Sequence, residues 1–214
     1  MMRKITTIAL LSALTASAWA AGPAPAPAPS PGPDPKALQR ELVKYLAKQG
    51  QLCLGKFDWP IEVSQQDFQE NTRDAVQMPV LEKLGLVTST VAQTPRLGVD
   101  DNAVHTVAVK RYELTQAGRK SYVEKDMTRG QVQHHKDLCV AKLSLDKIVR
   151  WEPTELGQGT VFYTYHVTAV PWALSADALK VFPMVDKIIK GEGTLQLSQR
   201  MQLIKEGWIA VPGV

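Results

Sequence analysis

Leu81-Glu82-Lys83-Leu84-Gly85-Leu86-Val87, followed after a polar stretch by Tyr112-Glu113-Leu114-Thr115-Gln116-Ala117-Gly118-Arg119, decides the fold of the first half of this chain. Leu81 and Leu84 close the apolar face of a helix, Gly85 turns the chain, and Leu86 opens a strand. Thr115 is an N-cap residue for a short helix that runs through Gly118 to about Lys125. Between the two passages lie two candidate strands, Leu86 to Ala92 and His105 to Leu114, joined by a polar loop. Working upstream, the spacing predicts a helix from about Thr72 to Leu84 with Val76, Val80, Leu81 and Leu84 as its apolar face. Pro79 is expected to kink or split it. Ser64 with Asp67 three residues on is a variant capping box for the helix before that. Gln51 to Phe57 reads as a short strand. Asp34-Pro35 starts a first helix carrying Leu38, Leu42, Tyr45 and Leu46, and Gly50 closes it.

Helix, short strand, helix, helix, strand, loop, strand is the order of a winged helix-turn-helix. The two quoted passages resemble the LxxLGLV … YxLTxxGR stretch of winged-helix regulators, over roughly residues 36 to 125. The resemblance implies a winged-helix-like lobe in which leucines pack the helix and Thr115 caps the helix after the wing. DNA binding does not follow from it. A recognition helix needs donors for base edges and phosphates, and 72–84 offers Arg73 and Lys83 against Asp74, Glu82 and a proline. The wing has Arg96 beside Asp100 and Asp101, with no basic stripe, so no nucleic-acid partner is expected.

From Leu138 the period changes to two. Cys139, Ala141, Leu143 and Leu145 alternate with polar positions, as do Val161, Tyr163, Tyr165 and Val167. Leu195 to Leu203 marks a third strand and Trp208 to Val211 a fourth, after a turn at Glu206-Gly207. Ser175 starts a helical stretch that Pro183 interrupts. The class is α+β: a winged-helix-like lobe over 36–125, then a small antiparallel sheet with a packed helix over 126–214.

The N-terminus speaks about location. A basic start, an apolar run from Ile5 to Trp19 and Ala18-Trp19-Ala20 have the layout of a secretory signal peptide over 1–20. The apolar run is too short for a membrane span of about 20 residues. An Ala/Pro-rich linker follows over 21–35, where seven of the 14 prolines alternate with small residues and favour polyproline II. The chain carries 25 Lys+Arg against 21 Asp+Glu. Removing the leader takes out Arg3 and Lys4 and no acid, leaving 23 against 21, or +2, so the charge carries no nucleic-acid signal. A periplasmic or secreted location is expected.

Leu52-Cys53-Leu54-Gly55-Lys56 before Trp59-Pro60, Leu138-Cys139-Val140-Ala141-Lys142 before Trp151, and the closing Gly207-Trp208 look like passages of uncharacterised exported proteobacterial proteins. That resemblance implies an envelope location and supplies no activity.

Two cysteines in an oxidising compartment most simply pair, so a Cys53–Cys139 disulfide is expected to staple the two halves. His134-His135 with Asp137 reads as a solvated polar linker between them rather than a metal site. The sequence nominates no metal, no cofactor and no catalytic residue: it holds no Gly-x-Ser-x-Gly, no His-Glu-x-x-His and no phosphate-cradling loop. The expected function is a non-catalytic interaction or accessory module, possessing another envelope protein as its partner. Its candidate surface is the wing loop, Gln93 to Val104 with Arg96, Asp100 and Asp101, together with the sheet face around His166 and Trp172. The alternative is a small periplasmic hydrolase or ligand-binding protein using the C-terminal aromatics Trp151, Tyr163, Tyr165, Trp172 and Trp208.

Overall fold

Asp34 accepts a hydrogen bond from the Lys36 amide at 3.1 Å and Pro35 occupies the first turn, so helix α1 (Pro35–Gln49) begins where the sequence signals it. This is a computed structural model that describes residues 33–98, 103–155 and 157–211, without the side chains of 127–129. The expected signal peptide over 1–20 and residues 21–32 of the expected linker lie outside the described residues. Leu38, Leu42 and Leu46 are the buried stripe of α1, and the Gly50 amide closes the helix on the Leu46 carbonyl. A Cβ on Gly50 would fall 2.5 Å from the Leu46 oxygen and 2.6 Å from the Leu143 oxygen, so only glycine lets the chain turn this close to the neighbouring strand.

Strand β1 (Gln51–Cys53) follows, then β2 (Ile61–Ser64), helix α2 (Gln65–Gln69), helix α3 (Arg73–Lys83) and the strands β3 (Val87–Leu97) and β4 (Val104–Leu114). The capping box is complete: the Ser64 amide donates to Asp67 at 2.7 Å, and the Asp67 amide to the Ser64 hydroxyl at 3.2 Å. Helix α3 is continuous through Pro79, whose ring faces solvent. Its buried face is Ala75, Gln77, Met78 and Leu81, rotated from the expected one, and Val76 is exposed. Gly85 takes φ +76°. The two passages quoted above then meet: the Thr115 amide bonds the Leu86 carbonyl at 3.0 Å and its hydroxyl the Gly85 carbonyl at 2.7 Å. The strand order is β2–β4–β3, all antiparallel.

Thr115 caps helix α4 (Gln116–Ser121), which is shorter than expected, because Tyr122 onward forms strand β5 (Tyr122–Arg129) against β6 (Val132–Pro153). The remaining elements are β7 (Gln158–Ala169), a 3₁₀ turn (Pro171–Leu174), α5 (Ala176–Val181), α6 (Pro183–Lys190), β8 (Leu197–Ile204) and β9 (Gly207–Ala210). The larger sheet runs β1–β6–β7–β8–β9, with β5 also on β6, so the fold is α+β with antiparallel sheets. Strand β6 spans 22 residues and pairs with β5 over Val132–Leu138, with β1 over Cys139–Lys142 and with β7 over Ala141–Pro153, its register against β7 shifting after Leu145 and after Ile148. Leu138 to Ala141 are all buried, so the expected alternation fails where β6 is covered on both faces.

The apolar core has two parts. In one, Val63, Met78, Leu81 and Tyr112 pack with Leu138, Val140, Ala178 and Phe182. In the other, Leu38, Leu42 and Leu46 of α1 pack with Leu143, Val161, Tyr163, Tyr165 and Met201. Helix α1 and strand β1 therefore pack with the larger sheet, although they lie within 36–125, and residues 33–214 form one compact unit.

Cys53 and Cys139 are bonded, with Cα atoms 3.8 Å apart. They face each other across β1 and β6, and the neighbouring Leu54 amide bonds the Leu138 carbonyl at 2.9 Å. That pattern makes the cysteines a pair without mutual backbone bonds, the closely spaced kind whose side chains meet.

His134, His135 and Asp137 are not a solvated linker. They belong to β6, and Asp137 is fully buried. Its carboxylate accepts the amides of Gly55 (3.0 Å) and Lys56 (2.7 Å), while Phe57 stacks on His134 with ring centroids 4.3 Å apart. No group of three or more His, Cys, Asp or Glu among the described residues is placed to hold a metal ion.

Candidate interaction surface

Strands β3 and β4 pair along their whole length, from Val87 opposite Leu114 to Leu97 opposite Val104. At the base, one face of this hairpin carries Val87, Tyr112 and Leu114 into the core. Because side chains alternate with period two, the same face further out carries Val91, Gln93, Pro95 and Leu97 with Lys110, Ala108, Thr106 and Val104. There the core has ended. Val91 is 82% exposed, Leu97 62% and Val104 69%, so the face that serves the core continues past it as a ribbon, with these three apolar side chains exposed among Gln93, Thr106 and Lys110. The sequence shows these residues, but only the length of the pairing shows that they share one exposed face. The strands reach Leu97 and Val104, which leaves a connection shorter than the Gln93–Val104 loop expected.

The hydrogen-bond parity of the ribbon follows from two bonds. The Thr115 amide reaches the Leu86 carbonyl, and at the other end the Gly98 amide reaches the Ala103 carbonyl at 2.7 Å. Both fix the directly opposed pairs Val87–Leu114 and Leu97–Val104 as pairs without mutual backbone bonds. The odd-numbered residues of β3 therefore point their amides and carbonyls outward, to the open edge of the sheet. Pro95 occupies one of these positions, where a residue with no N–H costs the ladder nothing and blunts strand addition.

Charged side chains brace the base. Arg111 donates to Glu62 Oε1 through Nε (2.9 Å) and Nη2 (2.7 Å), and Glu82 accepts the Ser89 amide (2.9 Å) and hydroxyl (2.7 Å). Arg96 lies on the opposite face of the ribbon, opposite His105, and pairs with Asp67 at 3.3 Å. The Arg111 hydrogen bonds hold the Glu62 carboxyl below its ordinary value despite partial burial. Burial pushes the Asp67 carboxyl up, but the Ser64 hydroxyl and amide and Arg96 outweigh it and hold it low.

These two carboxylates have a definite pH signature. Their folded-state values lie below the unfolded ones, so their stabilisation is present above the unfolded carboxylate range near about pH 4 and is lost as pH falls through the folded values. Asp137, raised by burial against the amides of Lys56, Gly55 and Leu138, has the opposite slope. Thermal unfolding of the wild type and of Glu62→Gln/Asp67→Asn should therefore converge as pH is lowered below about 4. A constant gap between the two proteins down to strong acid would contradict this assignment.

The other residues singled out from sequence are dispersed. Asp100 and Asp101 lie outside the described residues. His166 is exposed on β7 of the larger sheet, with Nδ1 3.2 Å from Glu192 and Nε2 3.5 Å from Asp146. Trp172 is partly buried against the first part of the core, its indole donating to the Ser121 hydroxyl at 3.4 Å. Arg96, His166 and Trp172 thus sit on three separate elements. Of the remaining aromatics, Tyr163 and Tyr165 are core residues, and burial pushes the Tyr163 phenol up to about 12. Trp151 and Trp208 pack edge to face at 5.1 Å. No family model, curated protein or solved structure matches the chain.

Proposed function

We propose that this is an exported, non-catalytic module of the cell envelope, periplasmic or secreted, that binds another envelope protein through the outer face of the β3–β4 ribbon. The observation that carries the reading is the continuation of a core face into solvent as Val91, Leu97 and Val104. An oxidised cysteine pair suits an exported protein, and among the described residues no helix is long and apolar enough to cross a membrane. The segment from β2 to β4 takes a winged-helix-like form, a reading supported by the element order and by the β2–β4–β3 strand order. Its helix α3 serves packing rather than nucleic acid: Arg73 donates to the Leu54 carbonyl, and Lys83 pairs with Asp177 at 2.6 Å. The alternative of a hydrolase or ligand-binding protein rests on aromatics of which Tyr163 and Tyr165 are committed to the core.

The test is capture of a partner from native periplasmic extract by the mature protein, crosslinked and read by mass spectrometry. Replacing Val91, Leu97 and Val104 together by serine should reduce capture at least about tenfold, since burying each such side chain is worth about 1.5 kcal/mol or more. The thermal midpoint should stay unchanged, because all are exposed. Equal capture by the variant would sink the reading.

A further inference from the structure

We infer that the cleft between β1, α3 and the α5–α6 junction binds an aliphatic carboxylate, with its chain in the cleft and its charge on Arg73. The inference is independent of the ribbon reading, since no residue of β3 or β4 lines this cleft. Its volume is about 430 Å³, within the range of small-molecule sites.

Three segments build the walls. Leu54 comes from the end of β1, Val76 and Gln77 from α3, and Phe182 and Met184 from the junction where Pro183 starts α6 directly after α5. Leu54 and Phe182 are buried members of the core and make fixed walls. Val76 is 41% exposed and Met184 61%, so the apolar lining stands open to solvent. The Gln77 side-chain amide donates to the Val181 carbonyl at 3.1 Å, which ties α3 to the end of α5 and holds the two sides together. Of the residues that line the cleft only Phe182 is aromatic, so the walls suit an aliphatic chain rather than a ring held by stacking. Met184 is unbranched and can follow the shape of such a chain.

Arg73 is the one charged residue among those that line the cleft. Its guanidinium donates to the Leu54 carbonyl and lies beside Gly55, where a Cβ would fall 3.3 Å from Nη2. Glycine at φ +70° leaves that place to the guanidinium, which is thereby held at the β1 end of the cleft. The acids around it are engaged elsewhere. Glu62 pairs with Arg111, Asp67 with Arg96 and Asp74 with Lys56, while Asp137 accepts the Gly55 and Lys56 amides. Among the described residues no carboxylate pairs with Arg73, and the Leu54 carbonyl takes only part of its N–H fork.

A positioned cation without an anion at one end of an apolar cleft is complementary to a molecule with an apolar chain and a carboxylate head. The planar fork matches the two carboxylate oxygens. Arg73 is itself exposed, so the head keeps its contact with water and the cost of burying a charge stays small. The chain supplies the driving force by removing the exposed surfaces of Val76 and Met184 from water.

Isothermal titration calorimetry of the mature protein with decanoate, kept below the concentration at which it forms micelles, should show saturable binding. Decanol, with the same chain and no charge, should bind at least about tenfold more weakly, since a charged hydrogen bond is worth at least that factor. Arg73→Gln should weaken decanoate at least about tenfold and leave decanol unchanged, so that the preference for the acid disappears. Because Arg73 also holds the Leu54 carbonyl, that variant is read beside Met184→Trp, a change at an exposed position. The indole should fill the opening and weaken both probes at least about tenfold, with circular dichroism and the thermal midpoint retained. Serine at Val91, Leu97 and Val104 should leave decanoate binding as in the wild type. Absence of saturable decanoate binding, equal affinity for decanol, a preference kept by folded Arg73→Gln, or full binding by Met184→Trp would overturn the inference. Capture of a protein partner that Met184→Trp alone abolishes would give the cleft to a protein segment and overturn it as well.

Discussion

Asp137→Ala is expected to lower the stability of the fold by about 3 kcal/mol, since hydrogen bonds to a charged group contribute about 1.5–3 kcal/mol each and part is offset by burying the carboxylate. Asp137 has no solvent exposure, and its two oxygens hold the Gly55 and Lys56 amides at 3.0 and 2.7 Å. Those amides belong to the connection between β1 and β2, the passage from the larger sheet to the smaller one. The same connection is fixed by the Tyr122 hydroxyl on the Phe57 carbonyl and by the stacking of Phe57 on His134. Alanine leaves two backbone amides without their acceptor and nothing nearby to replace it. Asparagine keeps one acceptor oxygen but turns an NH₂ toward the other amide, so about half of the loss should remain. Urea unfolding at neutral pH reads both variants. A cost below about 1 kcal/mol for alanine, within the range of an ordinary surface substitution, would show that the carboxylate is not the anchor.

Removing the disulfide should cost at least as much. Cys53 and Cys139 are 86 positions apart, and closing a loop of that length restricts the unfolded chain by about 4.5 kcal/mol. Cys53→Ala/Cys139→Ala, or reduction of the wild type, should therefore lower the urea midpoint by several times the effect of a surface mutation. The bond joins β1 to β6, and Leu54, next to Cys53, is a member of the core built around Met78 and Tyr112. Loss of the bond should therefore loosen both sheets in one transition rather than release either separately. Unfolding of the double variant in two well-separated steps would contradict a core shared between the sheets.

Much of the local structure was legible from residue types. Asp34-Pro35, the Ser64–Asp67 box and the Thr115 cap each act within a few residues of themselves, so no tertiary contact is needed to make them work. The pairing of two cysteines and the antiparallel character of the second half were legible for the same reason, one by number and one by period. The stretch from Tyr122 to Asp137 was not. Its polar composition reads as helix end and linker, yet it forms a hairpin whose Lys125 and Asp137 are buried because distant backbone meets them: Lys125 donates to the Gln49 carbonyl at 2.9 Å. Charge and polarity report what a side chain prefers in water, and here the partners that compensate it are about 80 residues away.

The candidate surface divides in the same way. Gln93 to Val104 is visible as a polar connection with turn residues, but its function as a ribbon depends on where the core stops, which no window of sequence contains. The sequence by itself determined the starts of helices, the cysteine pair, the antiparallel strands and the α+β class, because caps, counts and periodicity are properties of neighbours along the chain. Only the tertiary structure decided that α1 packs with the larger sheet, that Asp137 is a buried anchor, and that Val91, Leu97 and Val104 share one exposed face. Those depend on which surfaces meet across the fold and on the parity of backbone pairing, and both arise only when distant segments are brought side by side.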